Sequence, residues 1–207
     1  MAGLQPDNQA MNVNPIILTG CSIRLEPLRI DHTPALALVG LHPELWRLQP
    51  APIITSDDMR GYVQTALDDQ KSGRSLPFVI INSVTGQIIG STRYMDIAPA
   101  HFRLEIGATW LAPIHQRSRA NTEAKLLLLG HAFESLGIKR VVFKTELLNE
   151  KSRKALARIG AVEEGMFRQH LFTISGRPRD MVYFSILGSD WPSVKTRLAS
   201  RLLAGPA

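Results

Sequence analysis

Residues 110–129 constrain the fold more than any other stretch. They run from an apolar, strand-like end (Trp110-Leu111-Ala112-Pro113) through a basic turn (Ile114 to Ala120) into a strongly helical run from Asn121 to Leu129. Leu126, Leu127, Leu128 and Leu129 cover every direction around the helix axis, so this helix has to be covered on most sides. Its beginning is polar. Asn121 or Thr122 is the predicted N-cap. The first helical N–H groups have no intrahelical partner, and the helix dipole favours an anion there. His115, Gln116, Arg117 and Arg119 add donors and positive charge around that mouth. The stretch therefore predicts a strand that hands an anion-binding loop to a buried helix.

The rest of the chain supplies the cover. Residues 21–28 alternate Ile23 and Leu25 with Arg24 and Glu26, a half-buried strand ended by Pro27. Asp31 is a candidate cap for a helix carrying Leu36 and Val39, and 43–46 reads as a short helical turn. Ser56 is a candidate cap for a helix with Met59, Tyr62, Val63, Ala66 and Leu67 at helical spacing. Residues 76–81 and 87–95 form a hairpin around Thr85-Gly86. Residues 103–111 form a further strand. After the opening loop the helix runs from about Thr122 to Leu136, stopped by Gly137. A strand at 139–145, a helix from Asn149 to Ile159, two strands (162–173 and 178–187) and a terminal amphipathic helix from Trp191 follow. The order β-α-α-α-β-β-β-α-β-α-β-β-α predicts a mixed α/β (α+β) fold, a mostly antiparallel central sheet with helices on its faces.

Composition narrows the function. The 207 residues suit one domain, with 1–20 as an N-terminal tail, 21–188 as the domain body and 189–207 as a C-terminal helix and tail. The single cysteine, Cys21, excludes an internal disulfide framework and points to a reducing, cytoplasmic setting. No His, Cys, Asp or Glu arrangement has metal-ligand spacing, so no metal is expected. No apolar segment reaches the length of a membrane span, and residues 1–20 lack a secretory pattern. The net charge of +6 is spread in mild clusters without a polybasic tail. It suits a polyanionic cofactor or an acidic partner better than nucleic acid.

Order and motifs together resemble the GCN5-related N-acetyltransferases (GNAT), and within them the RimJ/RimL-like branch. Four stretches carry the resemblance: Ile23-Arg24-Leu25-Glu26-Pro27-Leu28; Glu105 to Pro113; Asn121 to Leu128; and Leu148 to Ala161. The resemblance spans about residues 22–187. It implies a fold in which the family's fourth and fifth strands splay apart and the pantetheine arm of acetyl-CoA lies in the gap. The family's phosphate loop reads Gln or Arg, two free positions, Gly, one free position, then Gly or Ala. Here Gln116 takes the first place, Arg119 the glycine place and Asn121 the last. Glycine serves such loops by adopting positive φ, which costs another residue roughly 1 kcal/mol or more.

The resemblance also assigns roles. Gln116, Arg117, Ser118, Arg119, Ala120, Asn121 and Thr122 would hold the diphosphate. Trp110 and Leu111 would pair with pantetheine through their backbone, as an added strand does. Asn149 would meet the pantetheine amide or cap its own helix, and Arg153 the 3′-phosphate. Amide formation from a thioester needs a proton removed from the amine and one supplied to the thiolate. Glu105 is the candidate base, unless it is an ordinary carboxylate paired with Arg103 or Arg93. Ser152 is the candidate acid, unless it is only a first-turn helix serine. The implied activity is acetyl transfer from acetyl-CoA to a primary amine, a protein N-terminus or a small molecule, with a homodimer compatible with the family. The rival reading is a non-catalytic module of the same fold, with Arg119 marking a degenerate coenzyme loop.

Overall fold

The computed structural model describes residues 13–204; residues 1–12, most of the expected tail, lie outside the described part. Eight strands form one sheet: β1 (Leu18–Thr19), β2 (Ile23–Pro27), β3 (Leu76–Asn82), β4 (Ile88–Ala98), β5 (Arg103–Leu111), β6 (Arg140–Glu146), β7 (Val162–Phe172) and β8 (Pro178–Leu187). Their spatial order is β1-β2-β3-β4-β5-β6-β8-β7. Each neighbouring pair is antiparallel except β5 and β6. The helices are α1 (Thr33–Gly40), α2 (Pro43–Trp46), α3 (Ser56–Lys71), α4 (Arg119–Gly130), α5 (Glu150–Ile159) and α6 (Trp191–Ala204). Parallel neighbours need a crossover connection, and α4 is that crossover. Among the described residues no helix is long and apolar enough to cross a membrane.

Strand alternation builds two cores. Ile23, Leu25, Phe78, Tyr94, Leu104 and Ile106 point to the face covered by α4, α5 and α6, against Leu128, Leu129, Leu156, Ile159, Val194 and Leu198. Val79, Ile81 and Trp110 point to the opposite face, against Leu36, Trp46, Met59 and Val63 of α1, α2 and α3. Leu128 and Leu129 are fully buried, as the Leu126–Leu129 run requires, and burial of each such side chain contributes about 1.5–3 kcal/mol. The Tyr94 hydroxyl donates to the Leu128 carbonyl at 2.7 Å and pins α4 to the sheet.

Two irregularities in β5 position everything that follows. First, its ladder with β6 covers only Arg103↔Arg140, Leu104↔Val141 and Glu105↔Val142. Beyond Glu105 the two strands diverge, so Ile106–Leu111 keeps an open edge toward β6. Second, β4 pairs Ser91 with Trp110 but Arg93 with Gly107, so β5 holds an extra residue. Ala108 absorbs it at φ +44°. The bulge reverses the alternation: Leu111 now faces the α4 core and Trp110 the α3 core.

Several boundaries differ from the sequence reading. Leu18–Thr19, inside the expected tail, pairs with β2; a two-residue strand leaves no periodic signal. Glu123 of α4 holds the turn behind it, accepting from Cys21 N at 2.5 Å, from Ser22 N at 3.0 Å and from the Ser22 hydroxyl. Asp31 lies in a short 3-10 turn and α1 starts after His32. Thr55, not Ser56, caps α3, through a reciprocal bond with Asp58. The long helix is regular only to Gly130 and continues as a π turn over His131–Ser135. Asn149 caps α5 as expected, its Oδ1 accepting from Ser152 N at 3.2 Å.

Candidate functional site

The loop after β5 arrives at α4 three residues earlier than the sequence suggests. Ser118 is the N-cap, its hydroxyl accepting from Ala120 N at 3.2 Å and donating to the His115 carbonyl at 2.7 Å. The expected caps, Asn121 and Thr122, are therefore inside the first turn. Arg119 is the first helical residue and needs no left-handed backbone. The positive φ of the loop falls on Arg117, at +57°. Arg117, Ser118 and Arg119 are exposed, while Ala120 is buried under them. The mouth of α4 thus presents unpaired helix N–H groups with two guanidinium groups beside them. Gln116 turns back and donates from Nε2 to the Leu111 carbonyl at 3.2 Å, bracing loop to strand.

The gap between β5 and β6 carries a group that sequence reasoning passed over. Lys125, one turn and a half into α4, is buried, and its Nζ donates to Thr109 Oγ1 at 2.8 Å. Thr109 Oγ1 lies 2.7 Å from Thr92 Oγ1. The same Nζ stands 5.7 Å from the Phe143 ring centre, so it bridges the diverging strands. Burial pulls Lys125 down to about 7. A lysine embedded in a leucine run was the available signal. At the start of α5, Asn149 and Ser152 are half-buried, and Arg153 reaches Glu163 at 3.3 Å.

Glu105 faces the other side of the sheet. It is buried, and its partner is Lys144, at 2.8 Å, rather than Arg103 or Arg93. Lys144 also bonds Asp96 at 2.5 Å and stands 5.4 Å from the Tyr183 ring centre. Burial pushes the Glu105 carboxyl above its usual range; the Lys144 ammonium opposes this and the Asp96 carboxylate adds to it. Burial also presses on Lys144, but bonds to Asp96 and Glu105 outweigh it and hold the ammonium well above its ordinary value. The Glu105 carboxylate lies over Gly107, where a Cβ would stand 2.9 Å from Oε1. A side chain at 107 would displace it, so glycine here opens the space beside the bulge.

On the same face of the sheet stand Trp46, Tyr62 and Trp110, whose rings meet edge to face at 5.5–5.7 Å, with Trp110 Nε1 3.3 Å from the Tyr62 hydroxyl. On the far side Phe167, His170 and Tyr183 cluster, Phe167 and Tyr183 with centres 4.7 Å apart. A hollow of about 630 Å³, lined by Met166, Phe167, Arg168, Gln169 and Asp180, opens beside them. Below, Glu146 takes Arg177 at 2.5 Å and Arg179 at 2.7 Å, and Arg179 also donates to the Leu48 carbonyl, tying the α2–α3 loop to β8. The structure thus carries Leu111 and residues 116–122 to the α4 side of the gap, while the Trp110 ring packs on the α3 side. It sets Glu105 on the opposite face of the same strand.

The sequence profile of the acetyltransferase (GNAT) domain matches residues 22–162. The YdaF protein of Bacillus subtilis (strain 168), provisionally named a ribosomal N-acetyltransferase, is 34% identical over 110 residues, 53% of this chain. The match spans 59% of that relative's own length. The ribosomal-protein-serine acetyltransferase of Escherichia coli (strain K12) is 26% identical over 173 residues, 82% of this chain and 95% of that one. A crystal structure of a provisionally named acetyltransferase from T. thermophilus superposes with a TM-score of 0.84 at 36% identity, covering 93% of this chain and 100% of that chain.

Proposed function

The chain belongs to the GNAT acetyltransferases, and on that premise we propose that it transfers the acetyl group of acetyl-CoA directly to a primary amine. The observation that carries this reading is the open edge of β5. The ladder stops at Glu105, the edge from Ile106 to Leu111 has no strand partner toward β6, and an anion-binding helix start stands at its end.

The residues present fit acetyl-CoA. Arg117, Ser118, Arg119, Ala120 and the N–H groups of Asn121 and Thr122 surround the place of the diphosphate, and Gln116 braces them. Trp110 and Leu111 offer backbone groups to the pantetheine arm, with Asn149 across the gap and Arg153 at its outer end. Glu105 accepts the proton of the acceptor amine, directly or through a water. The amine nitrogen then bonds to the thioester carbonyl carbon, whose oxygen gains charge as it does so. The C–S bond breaks, and Ser152 supplies a proton to the departing thiolate. A base raised above the ordinary carboxylate range suits this task, since efficiency is best when its pKa approaches the working pH.

The acceptor enters from the α3 face, between the Trp46–Tyr62–Trp110 wall and the Phe167–His170–Tyr183 cluster. It is a protein N-terminus or a small amine; a protein acceptor is in keeping with relatives named for acetylation of ribosomal proteins. A reducing cytoplasm suits the exposed free thiol of Cys21. A homodimer would cover the exposed Met166, Phe167, Leu171 and Phe172 of β7. The non-catalytic alternative loses its main support, because Arg119 occupies an ordinary helical position. Calorimetric titration with acetyl-CoA tests the reading: binding at micromolar levels is expected, and no heat at millimolar coenzyme sinks it.

A further inference from the structure

Arg93 has no role in the mechanism above, and its surroundings demand one. It lies on β4 directly across from Gly107, so its side chain shares the α3 face with Glu105. Met95 is the cross-strand partner of Glu105, which makes Arg93 the diagonal neighbour of that carboxylate, with a spacing of about 7–8 Å. The residue is only 6% exposed. Its Nε has no hydrogen-bond partner among the described residues. The carboxylate next to it, Glu105, is committed to Lys144. What Arg93 does have is the Tyr62 ring, whose centre lies 4.8 Å from its Cζ.

A guanidinium taken out of water without an anion is costly, and an arginine held beside an aromatic ring with an unpartnered Nε is suited to binding a carboxylate. Glycine at 107 lets the Glu105 carboxylate and the Met95 sulfur lie over the strand on the Arg93 side, each 2.9 Å from where a Cβ would stand. We infer that Arg93 is an acceptor-binding residue, and that the site selects an amine carrying a carboxylate on the same residue as the amine or on the next. The spacing from Glu105 sets that range. The amine goes to Glu105 beside the bulge, and the acid lies across Gly107 on Arg93. The net charge of +6 draws acidic acceptors in the same direction.

The inference rests on the acetyl-transfer reading, and one experiment separates the two. The full chain with saturating acetyl-CoA is given matched tripeptides, Ser-Glu-Ala and Ser-Gln-Ala blocked as C-terminal amides, and in a second arm free glutamine against its α-amide. Thiol release gives kcat/KM for each. The peptide arm reads an acidic side chain, and the free amino acid arm an α-carboxylate, so the preferred source of the anion emerges from the comparison. At least a tenfold preference for the acid over its neutral isostere in one arm is expected, carried mainly by KM. In Arg93→Gln the preference should shrink to within twofold, and Arg93→Lys should restore part of it. The wild-type ratio needs no folded variant to be read. Transfer to acid and neutral acceptors at equal kcat/KM, or a preference that survives in Arg93→Gln, overturns the inference and leaves Arg93 a packing residue on Tyr62. Absence of transfer to every amine together with absence of acetyl-CoA binding overturns the enzyme reading instead.

Discussion

The two faces of β5 treat buried charge in opposite ways. On the α3 face, Lys144 meets Asp96 and Glu105, and those bonds hold its ammonium well above the ordinary value despite burial. On the α4 face, Lys125 meets a threonine hydroxyl and an aromatic ring, and burial alone acts on it, bringing it to about 7. One lysine is fixed as a cation and serves to orient a carboxylate. The other is close to losing its proton. On the proposed acetyl-transfer reading, the gap that would take a neutral pantetheine arm is lined by an amine that can be uncharged. The face that would receive the acceptor amine carries permanent charges in register.

The sharpest way to break this contrast is Glu105→Gln. General-base assistance contributes typically about 10²–10⁴-fold, so turnover should fall by about a hundredfold or more, with the acetyl-CoA affinity of the opposite face within about twofold of wild type. In the wild type, kcat/KM should rise with pH as Glu105 loses its proton, at a midpoint above the ordinary carboxylate range because burial raises it. The variant should lack that limb. The gap between the two rates should be widest above this midpoint and below about pH 8, where a free α-amine deprotonates by itself. A stopped-flow pH series checks it; parallel profiles would remove the base role.

Lys125→Met tests the other face through stability. The folded amine titrates near 7 and an unfolded lysine near 10.5. Between those values the unfolded chain binds one more proton than the folded one, so stability should climb with pH by up to about 1.4 kcal/mol per unit. Below the folded value both states bind the proton and the slope vanishes. Methionine at 125 should flatten the climb and leave the variant more stable than wild type near neutral pH. Urea titrations at pH 7, 8, 9 and 10 read this directly. A variant that retains the slope would mean that Lys125 is not the group responsible and that the α4 face is as well paired as the α3 face.

These contrasts also mark what sequence could and could not reveal. Elements with period and punctuation were legible: the hairpin of β3 and β4, the Leu126–Leu129 helix, the Asn149 cap and Gly160 end of α5. The open edge of β5 was foreseen only through the family likeness. The bulge was not visible, because Ala108 is an ordinary residue in a strand and its φ of +44° comes from the register with β4. The Glu105–Lys144 pair joins residues on separate strands, with no local pattern to connect them. Ser118 as cap was hidden because Asn121 and Thr122, capping residues in their own right, stand nearer the leucine run.

A smaller effect tests that last correction. Arg119 at the first helical position offers a side-chain donor and a backbone N–H to an anion. Arg119→Gly should raise the acetyl-CoA Kd by about tenfold, since a hydrogen bond to a charged group is worth roughly 1.5–3 kcal/mol. Calorimetry distinguishes the outcomes by sign. Tighter binding in the variant would mean that glycine is what the loop lacks.

The smallest effects come from two of the five non-glycine residues at positive φ among those described, and as a pair they probe both sides of the strand. Arg117 and Ala108 sit at φ +57° and +44°, where a residue with a Cβ costs about 1–2 kcal/mol. Glycine removes that cost but adds freedom to the unfolded chain, about 0.5–1 kcal/mol, so each variant should gain no more than about 1 kcal/mol. Thermal melts would read both gains alike. Activity should separate them. Arg117→Gly removes a charge beside the α4 mouth and should act on coenzyme affinity alone. Ala108→Gly loosens the bulge that turns Trp110 to the α3 face and Leu111 to the α4 face, so it should lower kcat by a few fold while acetyl-CoA still binds. If both variants moved only coenzyme affinity, the bulge would belong to the binding of the arm and not to the alignment of the acceptor face with it.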